Sequence, residues 1–175
     1  MTKTWVISDT HFGHVGVTKF LRRDGSKLRP FDSVEEMDEV MVENWNRVVS
    51  DKDRIYHLGD VVINRRALQT LGRLKGRKVL VKGNHDIFRL EDYLPYFDDI
   101  RAYVVKQVNG KRVIISHIPI HEQSLERFEY NIHGHLHSNV IMDYDADGPD
   151  PRYVNVCVEH TNYTPIELHK VIPTE

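Results

Sequence analysis

The sequence predicts a mixed α/β domain, and three observations carry that expectation. The first 82 residues read as strand, helix, strand, helix, strand, the pattern of a parallel sheet with helices on its faces. The rest breaks into shorter strands, beginning with a hairpin, so the second half is expected to be more antiparallel. The 175 residues, 40% apolar and 29% charged, match an ordinary soluble composition. A chain of this length buries roughly 70% of its unfolded surface, so one domain over residues 1–175 needs no disulfide. The lone Cys157 could not form an internal one.

The elements follow in order. Thr4–Ser8 is a short apolar strand running into Asp9-Thr-His11-Phe-Gly-His14. Residues 19–31 are basic and end at Pro30, which reads as a loop or a broken helix. Ser33 and Glu36 form a capping box. After it, Met37, Val40, Met41, Trp45, Val48 and Val49 recur at helical spacing, predicting a helix over Val34–Val49. Ile55–Leu58 is a second strand, ending in Gly59-Asp60. Ala67, Leu68, Leu71 and Leu74 form a second helical stripe, and Lys78–Lys82 a third strand ending in Gly83-Asn84-His85-Asp86. Asn109-Gly110, between Ala102–Val108 and Arg112–Ile115, is a strong two-residue hairpin signal. Asn131–Gly134, Asn139–Met142 and Tyr153–Val158 are further short strands.

Composition excludes several classes of function. The longest unbroken apolar run is Ala102-Tyr103-Val104-Val105, against the ~20 residues a membrane helix needs. Met1–Asp9 has no apolar signal core. The expected location is the cytoplasm. A net charge of −2 provides no global basic field for a nucleic-acid polymer. Histidine is the outlier: 11 residues, against 10 glycines and only Ala67, Ala102 and Ala146 among alanines. Imidazole is the side chain most used for metals and for proton transfer near neutral pH.

Those histidines sit where chemistry is expected. Ligands of α/β sheets gather beyond the carboxyl ends of the strands. Three strands end there in Asp9 and His11, in Asp60, and in Asn84 and His85. Ser116-His117 ends another, and His133-Gly-His135-Leu-His137 follows a fifth. Alone, an Asp or Asn after a strand is a turn residue and a single His an ordinary polar group. His135-x-His137 carries more, because alternate residues of an extended segment point the same way. Oxygen and imidazole donors without thiolates suit Mn²⁺, Fe, Zn²⁺, Co²⁺ or Ni²⁺, and there are enough for two ions sharing a carboxylate. Two ions ~3.5–4 Å apart can clamp a phosphoryl group and generate hydroxide for in-line attack.

The ordered set Asp9-x-His11, Gly59-Asp60, Gly83-Asn84-His85-Asp86, Ser116-His117 and Gly134-His135-Leu136-His137 resembles the calcineurin-like metallophosphoesterase superfamily. Asp9–His14 at the start, with Asn155–Glu159 and Asn162–Pro165 near the end, resembles its small bacterial and phage members. The resemblance implies two facing sheets flanked by helices, an α/β/β/α sandwich. It implies one divalent ion, Mn²⁺ first among the candidates, held by Asp9, His11, Asp60 and His137. A second would be held by Asp60, Asn84, His117 and His135, with Asp60 bridging. His85 would be a catalytic residue outside both ligand sets, giving a hydrogen bond or proton to the phosphate or leaving-group oxygen. An imidazole is an apt general acid at pH 7. Asp86 is a weaker candidate to orient His85, since adjacent residues of an extended segment face opposite ways.

The reaction implied is hydrolysis of a small phosphodiester or phosphomonoester by a metal-bound hydroxide. Diesters are favoured, since relatives keeping the histidine of Gly-Asn-His-Asp often act on them. A nuclease of the same superfamily and a non-catalytic metal-binding scaffold are the alternatives.

Other signals stay open or fall away. His14 faces substrate or is a loop residue without a role. Arg65 and Arg66 either reach a substrate phosphate or belong to a solvated basic helix. The basic segment 19–29 is a candidate rim or lid. His57 is assigned to its strand and His133 to the interior, while His160 and His169 belong to no motif. His121-Glu122 lacks the second His of a zinc-protease motif, having Leu125 there. Asp143–Gly148 copies half a calcium loop but has Val154 where the closing Glu belongs, and reads as an acidic turn.

Overall fold

Strands with two buried faces dictate a layered molecule, and the computed structural model, which describes residues 1–174, has that form. In β1 (Thr4–Ile7), β2 (Arg54–His57) and β3 (Arg77–Val81), Trp5, Ile7, Ile55 and Leu80 face one core. Val6, Tyr56, Val79 and Val81 face another. These strands pair in parallel, with β4 (Asp99–Arg101) at one edge and β11 (Ile166–Glu167) antiparallel to β1 at the other.

The first core lies beneath helix α1 (Val34–Val48), whose Met37, Met41 and Trp45 are buried at helical spacing. Ser33 caps α1 by accepting from the Glu36 amide. The Glu36 carboxylate reaches back one residue further than a capping box requires, to the Asp32 amide. The second helical stripe is a 3-10 helix over Arg65–Arg73, capped by Asn64, and not an α-helix. Its buried Leu68 and Leu71, with Leu74 after them, are three residues apart, the spacing a 3-10 helix brings onto one side.

The second sheet runs β10 (Tyr153–Asn155), β7 (Tyr130–His133), β6 (Lys111–Ser116), β5 (Tyr103–Val108). Asn109 and Gly110 both have positive φ, as a two-residue hairpin turn between β5 and β6 requires. Antiparallel pairing enters in the second half as expected, in the β5–β6 hairpin and in β11 against β1, although β7 joins both β6 and β10 in parallel. Val113, Ile115 and Ile132 face Val6, Tyr56 and Val79 across the inter-sheet core. The outermost helical layer is thin, a single turn α3 (Glu122–Leu125) reached through Ile120, whose amide and carbonyl bond Asn131 and Tyr153 of the sheet.

Other boundaries shift. Of the strand expected over Asn139–Met142, only Met142 pairs, in a ribbon of β8 (Met142–Asp143) with β9 (Gly148–Pro149) outside both sheets. The acidic turn between them is held by Asp143 Oδ1, which accepts from the Asp145 and Ala146 amides. The strand expected over Tyr153–Val158 leaves the second sheet after Asn155. Val156–Val158 then bonds to Ser8 at the end of β1, fastening the two sheets together beside Asp9. A short turn α2 (Leu90–Tyr93) follows the β3 loop. No described helix is long and apolar enough to cross a membrane.

Candidate metal centre

The loops after β1, β2, β3, β6 and β7 meet at one edge of the sandwich, and their backbones are bonded to one another. The Asp9 amide donates to Gly59 O, His11 to Asp60 O, Phe12 to Val61 O, and Gly134 to His117 O. Turning inward strains three of these loops, those after β1, β2 and β7. Asp9, His11, Asp60, His135 and His137 all have φ between 49° and 68°. For residues other than glycine that conformation costs on the order of 1–3 kcal/mol each and persists only where the surroundings enforce it. Where a side chain would block the approach, the sequence has none: a Cβ on Gly134 would stand 2.3 Å from Asp9 Oδ2, and one on Gly83 2.3 Å from Asp60 Oδ1.

Each aspartate divides its oxygens between two tasks. Asp9 Oδ2 accepts from the His135 amide at 2.9 Å, from Ser8 Oγ and from Cys157 Sγ, while Oδ1 is buried with no partner. Asp60 Oδ1 accepts from the His85 amide at 2.8 Å. The other oxygens point at imidazoles without bonding them. Asp9 Oδ1 lies 3.8 Å from His11 Nε2 and 3.9 Å from His137 Nε2. Asp60 Oδ2 lies 3.6 Å from His11 Nε2 and 3.5 Å from His117 Nε2.

The residues fit two divalent ions. Two donors each about 2.1 Å from a shared ion and roughly 110–130° apart are separated by about 3.4–3.8 Å, close to the spacings above. Asp9, His11 and His137 form one three-residue cluster, and Asp60, His117 and His135 a second. Both nitrogens of His11 are buried without a partner, like Asp9 Oδ1, a condition rare among buried polar atoms. His117 Nδ1 donates to Leu58 O at 2.6 Å, which turns Nε2 toward the centre. Nε2 lies 2.8 Å from Asn84 Oδ1, and His135 Nδ1 lies 2.9 Å from the same oxygen, so Asn84 joins the second cluster.

The structure thus brings together Asp9, His11, Asp60, Asn84, His117, His135 and His137. His85 stands at their rim, exposed, with its ring centroid 5.7 Å from that of His11. His14 stands 5.5 Å from His11 and is half-buried against Phe20. Burial, reinforced by the neighbouring His11 and Arg29, pushes His14 down to about 4, so it is neutral at pH 7. Arg65 pairs with Asp92 at 2.6 Å and stacks on Phe88, and so is held by the loop after β3; Arg66 is exposed. Asp86 does not orient His85. It is buried and accepts from the Asp60, Val61 and Gly83 amides, locking the β2 and β3 loops together.

Sequence reasoning missed the groups behind the cluster. Arg29, grouped there with a basic rim, is fully buried. Its guanidinium donates to Thr10 O, Asp9 O and Glu159 Oε1, the last at 2.9 Å. Glu159 Oε1 also accepts from His137 Nδ1 at 3.0 Å, which fixes the ring with Nε2 toward Asp9. Burial works to raise the Glu159 carboxyl, but His137 and Arg29 outweigh it and hold it below its usual value. Burial likewise works against ionisation of Asp9, and the imidazoles of His11 and His117 with the Ser8 hydroxyl hold it far below the carboxylate range. Burial pushes the Cys157 thiol well above its usual value, so it remains a donor to Asp9. The only sequence signal for Glu159 was its place in Asn155–Glu159; nothing distinguished Arg29 from its basic neighbours.

Comparison with known proteins covers the region that holds the two clusters. The sequence profile of the calcineurin-like phosphoesterase superfamily domain matches residues 3–157. An uncharacterized protein of Methanocaldococcus jannaschii is 35% identical over 176 residues, covering 98% of this chain and 90% of its own. The gene 66 protein of Mycobacterium phage L5 is 27% identical over 174 residues, covering 81% of each chain. The crystal structure of a protein of unknown function from Aquifex aeolicus superposes with a TM-score of 0.69 at 28% identity, over 98% of both chains.

Proposed function

The chain belongs to the calcineurin-like phosphoesterase superfamily, and on that premise we propose that it hydrolyses a small phosphodiester, or the corresponding monoester, at a centre of two divalent ions. The observation that carries the reading is the single oxygen Asp60 Oδ2, facing His11 of one cluster and His117 of the other at nearly equal distances. Asp9, His11, Asp60 and His137 would hold one ion, and Asp60, Asn84, His117 and His135 the other. Bound there, the pair would supply the charge that draws and polarises a phosphoryl group and acidifies a water for attack on phosphorus. We assign Mn²⁺ first, since the donors are imidazole and oxygen with no thiolate.

The protein's own groups divide the remaining work. Asp9 and Asp60 hold the ligand loops in register through their second oxygens. Asn84 is a neutral donor and so adds no charge that would repel an anionic substrate. His85, exposed and beside His11, delivers a proton to the leaving-group oxygen, a role typically worth 10²–10⁴ in rate. The glutamate–histidine pair of Glu159 and His137 sets the ring tautomer and raises its basicity as a ligand.

The test is hydrolysis of an aryl phosphodiester and its monoester with Mn²⁺, with chelator, and by His85→Ala. Turnover that requires metal and falls at least a hundredfold in a variant that still binds its metal is the expected result. Equal turnover by the variant would remove His85 from the mechanism. None by either protein with two ions bound would leave a metal-binding scaffold.

A further inference from the structure

We propose that a cleft beside Asn84 and His117 receives the organic group of the ester and selects an apolar, uncharged one; this rests on the phosphoesterase reading above. The thin outer helical layer leaves the β5 edge of the second sheet open, while Ile114 and Ser116 on β6 are buried behind it. Tyr103 pairs with Ser116 and Val105 with Ile114, so these four share the outward face. Tyr103 is 59% exposed there, and Ile118, just beyond β6, 52%. Large apolar side chains so open to water within reach of a polar centre mark a binding surface.

The hollow they line measures about 400 Å³, in the lower range of small-ligand sites. Its floor and one wall are Tyr103, Ile114, Ile118 and Ile120, and its other wall ends in Asn84 and His117, which belong to the candidate metal centre. Because Asn84 and His117 border both, an ester group of a phosphate at that centre has the hollow as its neighbouring space. The floor offers little to a polar group: Ser116 Oγ donates to Ile118 O at 2.8 Å and accepts from Asn131 Nδ2 at 2.9 Å. Lys82 is the one lysine or arginine among the described lining residues, and its ammonium repels a cationic head group. Shape and charge together favour an aliphatic or aryl ester group over an ammonium-bearing one.

Three non-hydrolysable probes separate the possibilities: methylphosphonate, 3,3-dimethylbutylphosphonate and its isostere 2-(trimethylammonio)ethylphosphonate. Their binding to the full-length Mn²⁺-loaded protein would be measured by calorimetry, for the wild type, Ile118→Asp and Tyr103→Ser. The dimethylbutyl probe is expected to bind at least tenfold more tightly than either of the others, the scale set by an added apolar group in a fitted pocket. Ile118→Asp should abolish that advantage and favour the trimethylammonio probe, and Tyr103→Ser should reduce it. Equal affinity for the methyl and dimethylbutyl probes would overturn the proposal. So would a wild-type preference for the cationic probe, which would move the ester group to the larger hollow of about 850 Å³ lined by Glu122, Asp143 and Asp145. A dimer that Ile118→Asp dissociates without changing the order of affinities would make the cleft a contact between copies of this chain and overturn it too. Turnover without the preference defeats this inference alone. The preference without turnover of any ester defeats the phosphoesterase reading and leaves the cleft assigned.

Discussion

Arg29→Met removes the guanidinium that is buried beside the Glu159 carboxylate. The Arg29 and Glu159 side chains are both 0% exposed and bond at 2.9 Å. Breaking a buried pair by removing one partner costs about 3–5 kcal/mol, because the other charge stays buried. The guanidinium also serves Thr10 O and Asp9 O, and losing those bonds adds to the cost. Glu159→Leu strands the guanidinium in the same way. Arg29→Met with Glu159→Leu removes both charges, and such replacements are often neutral or stabilising. The double variant should therefore lose at least about 2 kcal/mol less than the sum of the single losses. Urea unfolding of the metal-free protein, as a double-mutant cycle, reads this directly. Metal affinity should behave differently, because His137 Nδ1 loses its acceptor whenever Glu159 is replaced. Calorimetric Mn²⁺ affinity should fall 10–100-fold in both Glu159 variants and stay low in the double variant even as stability returns. Additive stability losses, or single losses below about 1 kcal/mol, would refute the buried-pair argument. Recovery of metal affinity in the double variant would refute the role given to Glu159.

Three further outcomes are expected. Asp60→Asn, touching the oxygen that faces both clusters, should reduce bound Mn²⁺ from two per chain to one or none by metal analysis; two tightly held ions in the variant would break the bridging assignment. Gly134→Ala, which forces a Cβ to 2.0 Å from Ser8 Oγ, should lower the thermal midpoint and weaken metal binding together, whereas wild-type behaviour in both would show that the loop has room to move. Burial holds His57 at about 3 while its unfolded value is 6.5, so its contribution is intact above pH 6.5 and is lost as pH falls below it, when only the unfolded chain takes up the proton. That loss is on the order of 5 kcal/mol by pH 3. His57→Phe, keeping the stacking on Trp45, should flatten stability against pH between 6.5 and 4, and an unchanged slope would place the acid sensitivity elsewhere.

What could be read from the sequence follows from how local each cause is. The ligand residues are legible because their donor chemistry is restricted to few residue types and they close strands that have their own apolar signals. α1 and the Asn109-Gly110 turn are equally local. Arg29 and Glu159 are not, because 130 positions separate them and their importance comes only from being buried together. The direction of β7 and β10 is hidden for a similar reason: a parallel crossover is decided by where the chain returns, and strands of three or four residues carry no directional pattern. β4 and β11, three and two residues long, are too short to show a period, and neither was expected. The 3-10 helix is ambiguous because Leu68, Leu71 and Leu74 satisfy both helical spacings. Five strained backbone positions at the centre could not be foreseen, because tertiary bonds enforce them against the preference of each residue.

The central claim is that two ions act together through Asp60. The most direct measurement is the rate of hydrolysis of an aryl phosphodiester as Mn²⁺ is added to metal-free protein in known equivalents. Almost no turnover is expected through the first bound equivalent, a rise across the second, and a plateau at two. Full activity at one equivalent, or none at two, would contradict it.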